Sequence, residues 1–96
     1  MPVFKFREDR PTLIGVVHLP PLPGSIRYGG LDISTIIDFA VRNAKTRDEA
    51  GFDAVILENF NDYPFEARVR RPETIASMAI IAREVIKAVT VPVGIN

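Results

Sequence analysis

The chain has no cysteine among its 96 residues, which excludes a disulfide framework and a thiolate-held zinc site. It has no net charge either, since twelve basic residues balance twelve acidic ones. No overall field therefore draws it to nucleic acid or to an anionic membrane surface. Long hydrophobic runs are missing as well. A membrane-spanning helix takes about 18 consecutive apolar residues, and the nearest approach is "IASMAIIA" at residues 75–82. Charges interrupt the opening "MPVFKFREDRP" early and no small-residue cleavage site follows, so it does not read as a secretory signal. Together these absences predict a cytoplasmic protein whose membrane contacts, if any, are peripheral. P-loop and dinucleotide glycine patterns, sustained heptads and basic stripes interleaved with aromatics are absent too. That removes nucleoside-triphosphate enzymes, coiled coils and nucleic-acid-binding modules from consideration.

What is present is an alternation of two periods. Short, β-branched apolar segments occur at residues 12–19 ("TLIGVVHL"), 54–57 ("AVIL") and 91–95 ("VPVGI"), as expected for strands covered on both faces of a parallel sheet. Between the first two, Ile33, Ile36, Ile37, Ala40, Val41 and Ala44 recur at helical spacing. Asp32 or Ser34 is placed to cap that helix and Gly51 to end it. A second stripe follows in Ile75, Met78, Ala79, Ala82, Val85, Ile86 and Val89, with Pro72 and Glu73 suited to its first turn. The predicted order is strand, helix, strand, helix, strand in one α/β domain spanning residues 1–96. Turns after the helices are tight, whereas the loops after the strands, at 20–31 and 60–71, are long. In parallel α/β folds the ligand site lies beyond the carboxyl ends of the strands, where such loops emerge.

Strand alternation singles out three residues at that end. If His18 points to one face of the first strand, Ile14 and Val16 share that face, and Val17 and Leu19 face the helices. The same parity puts Glu58 with Ile56 and Ala54, and Asn96 with Gly94. Adjacent strands lie about 4.8 Å apart, so all three polar groups can meet one small ligand. His18 suits acid or base work, Glu58 a base or a ligand to a cation, and Asn96 hydrogen-bond donation. Against this, a lone strand-end histidine is more often a hydrogen-bonded structural residue than a catalyst. One carboxylate with amide neighbours does not define a metal site. Asn59 and Asp62 in "ENFND" also read as turn residues that close local hydrogen bonds.

The loop after His18 carries Pro20, Pro21 and Pro23, which end the strand and hold the chain extended. Such a loop is placed to present "GSIRYGG", residues 24–30, over the mouth of the sheet. Arg27 there suits a carboxylate or phosphate, or simply solvent. Gly29 and Gly30 suit close backbone approach to an anion, or a plain turn. Arg68, Arg70 and Arg71 precede the second helix, whose start favours anions, although a solvated surface is the commoner use of such a cluster.

"IGVVHLPPLPGS" with "RYGG", then "AGFDAVILENFNDYPF", "ETIASMAIIAREV" and "VPVGIN" closely resemble the start of the BtpA family. This family comprises photosystem I biogenesis proteins and many non-photosynthetic relatives. The resemblance covers about residues 13–96. It implies a TIM-type (β/α)8 barrel with His18, Glu58, Asn59 and Asn96 on the ligand-binding rim, and an ancestral activity on a small, phosphorylated or unphosphorylated metabolite. An assembly-factor role at membrane complexes is the alternative it implies. It names neither a reaction nor a cofactor. Relatives run to a full barrel, so the chain is expected to be the N-terminal portion, inactive alone, and to self-associate or pair with the rest of the barrel through its open strand edges.

Overall fold

The computed structural model describes residues 2–96. Its elements follow the expected order: β1 Ile14–His18, α1 Ile33–Glu49, β2 Ala54–Glu58, α2 Pro72–Ala88 and β3 Val93–Ile95. The strands form a parallel sheet in the order β1-β2-β3. With sequential strand order, right-handed crossovers carry both helices to the same face. The result is an open α/β unit consistent with part of a (β/α) barrel.

Alternation along the strands decides what that face holds. Val17, Val55 and Leu57 are buried against the helices, together with Ile36, Ala40 and Ala44 of α1 and Ile81, Ala82 and Val85 of α2. Burial of a side chain such as Leu57 contributes about 1.5–3 kcal/mol. Leu19 and Leu22, just past β1, are also fully buried, so the proline-rich segment contributes to the core. The other face carries Ile14, Val16 and Ile56 and is only partly covered. At its amino end the N-terminal segment lies across it. Pro2, Val3 and Phe4 there enclose, with Ile14, Ile56 and Val93, an apolar concavity of about 410 Å³.

The helix ends have local causes. Asp32 stands at the N-cap of α1, but its side chain makes no capping hydrogen bond. Its backbone carbonyl instead accepts from Thr35 N and Ile36 N at 3.0 and 3.1 Å. Ser34 lies within the first turn, so neither side chain caps the helix as the sequence suggested. The C-terminus does follow expectation. Gly51 adopts φ +93°, Gly51 N donates to Asp48 O at 3.0 Å and Phe52 N to Arg47 O at 3.1 Å. These two bonds form a Schellman motif, which satisfies carbonyls that the helix leaves unpaired. Asp48 then accepts from the backbone N and the hydroxyl of Thr90, both at 2.8 Å, tying the end of α1 to the turn between α2 and β3.

The amino end of the sheet is held by charge. Arg10 donates two hydrogen bonds of 2.8 Å to Asp53, and Leu13 N donates a third of 2.8 Å. The Arg10 guanidinium, with help from the Leu13 amide, holds the Asp53 carboxyl below the usual carboxylate range.

Candidate functional site

At the carboxyl end the predicted parity holds. In the register of the sheet His18 pairs with Glu58 and Leu57 with Ile95, which brings the residue after β3, Asn96, alongside Glu58. Asn96 N donates to Leu57 O at 2.9 Å, and Leu19 N donates to Glu58 O at 2.9 Å. Ladder-type hydrogen bonds thus continue one residue past the strands and fix the backbone that carries the polar groups.

The three side chains meet. His18 Nε2 lies 3.2 Å from Glu58 Oε1, and Asn96 Nδ2 donates to Glu58 Oε2 at 2.8 Å. Both carboxylate oxygens are therefore engaged, with Glu58 at the centre of the cluster. The His18 side chain is 52 % exposed and that of Glu58 only 20 %, so the imidazole is the group more open to solvent.

An aromatic wall stands beside them. Phe60 stacks on the His18 ring, with centroids 5.3 Å apart and planes 30° from parallel. Phe65 meets Phe60 edge to face at 5.3 Å. The sequence reading overlooked Phe60, and its one signal was an aromatic residue two positions past the rim carboxylate. Next to Asn96 an apolar groove of about 290 Å³ runs between α2 and β3, walled by Val69, Ile75, Met78 and Ile95 and bordered by Asn59. The larger concavity at the amino end is lined by apolar groups and holds no titratable side chain, so it lacks the means for chemistry.

Asn59 and Asp62 do more than close a turn. Asp62 N donates to Asn59 O at 2.9 Å and Asn59 Nδ2 to Asp62 Oδ2 at 3.0 Å, which is the expected local pattern. The other oxygen of Asp62 accepts from Leu22 N at 2.7 Å, reaching across to the first loop. Asn61 Nδ2 donates to Leu19 O at 2.7 Å, and Thr74 Oγ1 donates to Pro23 O at 2.8 Å. The proline-rich loop is consequently fastened to the second loop and to the start of α2.

The other expected ligand-binding residues lie apart from this cluster. Arg27 sits over the Tyr63 ring at 5.1 Å, and Ile26 N donates to Tyr63 O at 3.0 Å. Gly29 and Gly30 have open space where a side chain would project. Among the described residues no hydrogen bond, ion pair or ring contact joins Arg27, Gly29 or Gly30 to His18, Glu58 or Asn96. Of the basic cluster before α2, Arg71 is paired with Glu66 at 3.1 Å. No group of three or more histidine, cysteine, aspartate or glutamate residues placed to hold a metal occurs among the described residues. None of their helices is long and apolar enough to cross a membrane.

Sequential parallel strands with both helices on one face, and polar groups gathered at their carboxyl ends, define a unit of the (β/α) class. The chain belongs to the BtpA family, which matches over residues 9–96. It is 55 % identical to an uncharacterised protein of Pyrococcus furiosus over 92 % of this chain and 33 % of that relative. An uncharacterised protein of Methanocaldococcus jannaschii is 49 % identical over 100 % of this chain and 34 % of the relative. The photosystem I biogenesis protein BtpA of Synechocystis is 38 % identical over 100 % of this chain and 33 % of its own length. The chain thus spans about a third of the length of the curated relatives it matches. No solved structure matches it.

Proposed function

We propose that this chain supplies part of the carboxyl-end rim of a (β/α) barrel, on which a small metabolite is bound and transformed. The observation that carries this reading is the convergence of His18, Glu58 and Asn96 from three strands. A core needs no such cluster at an exposed edge, whereas proton transfer needs one titratable group held by others. In this proposal His18, Glu58 and Asn96 act on the ligand, and Asn59 borders its groove. Arg27, Gly29 and Gly30 on the first loop meet an anionic portion, such as a phosphate. The remaining β/α units of the barrel come from a longer chain, as the length of the relatives suggests, or from a second copy. The balanced charge and absence of cysteine support a cytoplasmic setting.

Chemical-shift mapping of the 15N-labelled chain tests the reading, with glycerol 3-phosphate, ribose 5-phosphate, pyruvate and adenosine as probes. Shifts at His18, residues 58–60 and Asn96 are expected, joined by Arg27, Gly29 and Gly30 with the phosphorylated probes. Absence of any shift across the panel, or shifts scattered over the surface, overturns it.

A second reading rests on the name of the Synechocystis relative, a photosystem I biogenesis protein: a non-enzymatic assembly factor that stabilises membrane complexes. The two readings separate by mutation in the intact protein. An enzyme loses turnover on Glu58→Gln or His18→Asn while keeping its fold. A scaffold tolerates both and fails when an exposed surface is changed.

A further inference from the structure

We infer that the working atom of this rim is Nδ1 of His18, with Glu58 as the positioning residue that holds the imidazole in a single tautomer and Phe60 as the one that holds the orientation of its ring. The site then takes a small substrate that yields or receives a proton, at a hydroxyl or at a C–H next to a carbonyl. This deepens the proposed function and rests on it.

The sequence alone left both Glu58 and His18 as candidates for the base. The geometry separates them. Glu58 is the more enclosed, 20 % exposed against 52 % for His18, with Oε1 3.2 Å from His18 Nε2 and Oε2 accepting from Asn96 Nδ2 at 2.8 Å. With those neighbours around it, the carboxylate is the less open of the two groups to a substrate. Because ionised carboxylate only accepts, the ring nitrogen facing it carries a proton. That nitrogen is Nε2, so in the neutral ring Nδ1 is the bare one. Among the described residues Nδ1 has no hydrogen-bond partner, and the side chain is 52 % exposed.

Two contacts orient the ring. The Glu58 carboxylate stands 3.2 Å from Nε2, and the Phe60 ring lies against the imidazole face, with centroids 5.3 Å apart. Phe60 is itself held by Phe65. Rotation about the side-chain bonds breaks one restraint or the other, so Nδ1 keeps one direction. The same contacts serve both charge states, because Nε2–H faces Glu58 whether the ring is neutral or cationic. A proton can therefore come and go at Nδ1 without rearrangement, which is the condition for efficient general acid–base work.

The step balances without a further reactant. The substrate O–H or C–H bond breaks heterolytically, its electron pair stays on the substrate, and the proton bonds to Nδ1. The ring becomes an imidazolium that compensates the Glu58 carboxylate, which keeps its charge, and the substrate carries the negative charge of the electron pair it retains. Return of the proton to another atom of the substrate completes an isomerisation or an elimination. Return to the same atom restores the start.

His18 is the only histidine in the chain, so a long-range 1H–15N spectrum contains one imidazole and needs no assignment. The spectrum is recorded on the full 96-residue chain at alkaline pH, where the ring is neutral. The expected result is a single tautomer protonated at Nε2 in the wild type, a shift toward the mixture of free imidazole in Glu58→Ala, and partial rescue in Glu58→Gln, whose amide oxygen still accepts. In Phe60→Leu the tautomer persists while the imidazole C–H signals lose their ring-current displacement. A wild-type proton on Nδ1, or one tautomer ratio shared by wild type and a folded Glu58→Ala, overturns the inference. If Glu58→Ala does not fold, as its amide fingerprint will report, the wild-type tautomer and the Glu58→Gln spectrum decide. Probe-induced shifts at Glu58 and Asn96 with the proton on Nδ1 reject this inference but leave the rim reading standing. A locked Nε2–H tautomer with no response to any probe rejects the rim reading, and the assigned role with it.

Discussion

Asp62 and Leu22, forty residues apart, are joined by a buried hydrogen bond of 2.7 Å from the Leu22 amide to the Asp62 carboxylate. This bond turns two long loops into one layer over the sheet. Leu22 is fully buried, so its N–H has no access to water and the carboxylate is its partner. Without Asp62 the loop that leaves His18 keeps its ties at Asn61 and Tyr63 but loses the one that satisfies the buried Leu22 amide.

Asp62→Ala is therefore expected to destabilise the chain by about 2 kcal/mol, within the range for a buried donor left unpaired. Urea unfolding reads the change, and hydrogen exchange localises it to the Leu22 amide. A loss below about 0.5 kcal/mol, the level typical of surface substitutions, would show that the two loops are held mainly by other contacts.

Gly24 and Gly29 should respond oppositely to alanine. Gly24 has φ +98°, and an added Cβ would come within 2.5 Å of Thr74 Oγ1 and 3.0 Å of Glu73 Cγ. Both the left-handed backbone and the clash at the start of α2 penalise Gly24→Ala, by about 1–3 kcal/mol. At Gly29 nothing lies within 4 Å of the new atom, and Gly29→Ala should be neutral or slightly stabilising through the unfolded chain. Thermal melts of the two variants provide the comparison. Equal effects would contradict the packing of Gly24 on α2.

Stability at low pH should depend on Asp53. Its carboxyl is held below the ordinary range by hydrogen bonds from Arg10 and Leu13 N. A depressed folded-state value means that the unfolded chain binds the proton more readily. The contribution is thus fully present above the ordinary carboxylate value and fades as pH falls through the lower, folded one. Melting temperature followed from about pH 6 to about pH 2 should drop more gently in that window for Asp53→Asn, which starts less stable, than for the wild type. Parallel curves would remove Asp53 from the acid response.

The open sheet leaves β1 and β3 as edges, with Ile14 and Ile95 38 % and 56 % exposed. Such edges pair readily with another chain, and a charge placed on them interferes. For the 96-residue chain alone, sedimentation velocity should show mass increasing with concentration, and Ile95→Lys should weaken that dependence. A constant monomeric mass over a hundredfold range of concentration would exclude edge pairing.

Much of this arrangement was legible in the sequence because it depends on short-range periodicity. Alternation along "IGVVH" and "AVILE" is enough to put His18 and Glu58 on the face opposite Val17 and Leu57, and sequential βαβ connections align the strand ends. The glycine that ends α1 is equally local, since only a residue free to adopt positive φ completes the Schellman turn. The N-cap was a failure of the same local reasoning: Asp32 occupies the position, but its side chain forms no capping bond.

By itself, then, the sequence determined the order of the elements, the two faces of the sheet and the three polar residues at its carboxyl end. These follow from steric alternation and helical period, which act over a few residues. Only the tertiary structure decided which oxygen of Glu58 meets His18 and which meets Asn96, that Phe60 lies against the imidazole, that Arg27 turns to Tyr63, and that Asp62 reaches Leu22. Those contacts join segments tens of residues apart. Their geometry depends on how two long loops close over the same strands, and no local pattern in either loop encodes the other's position.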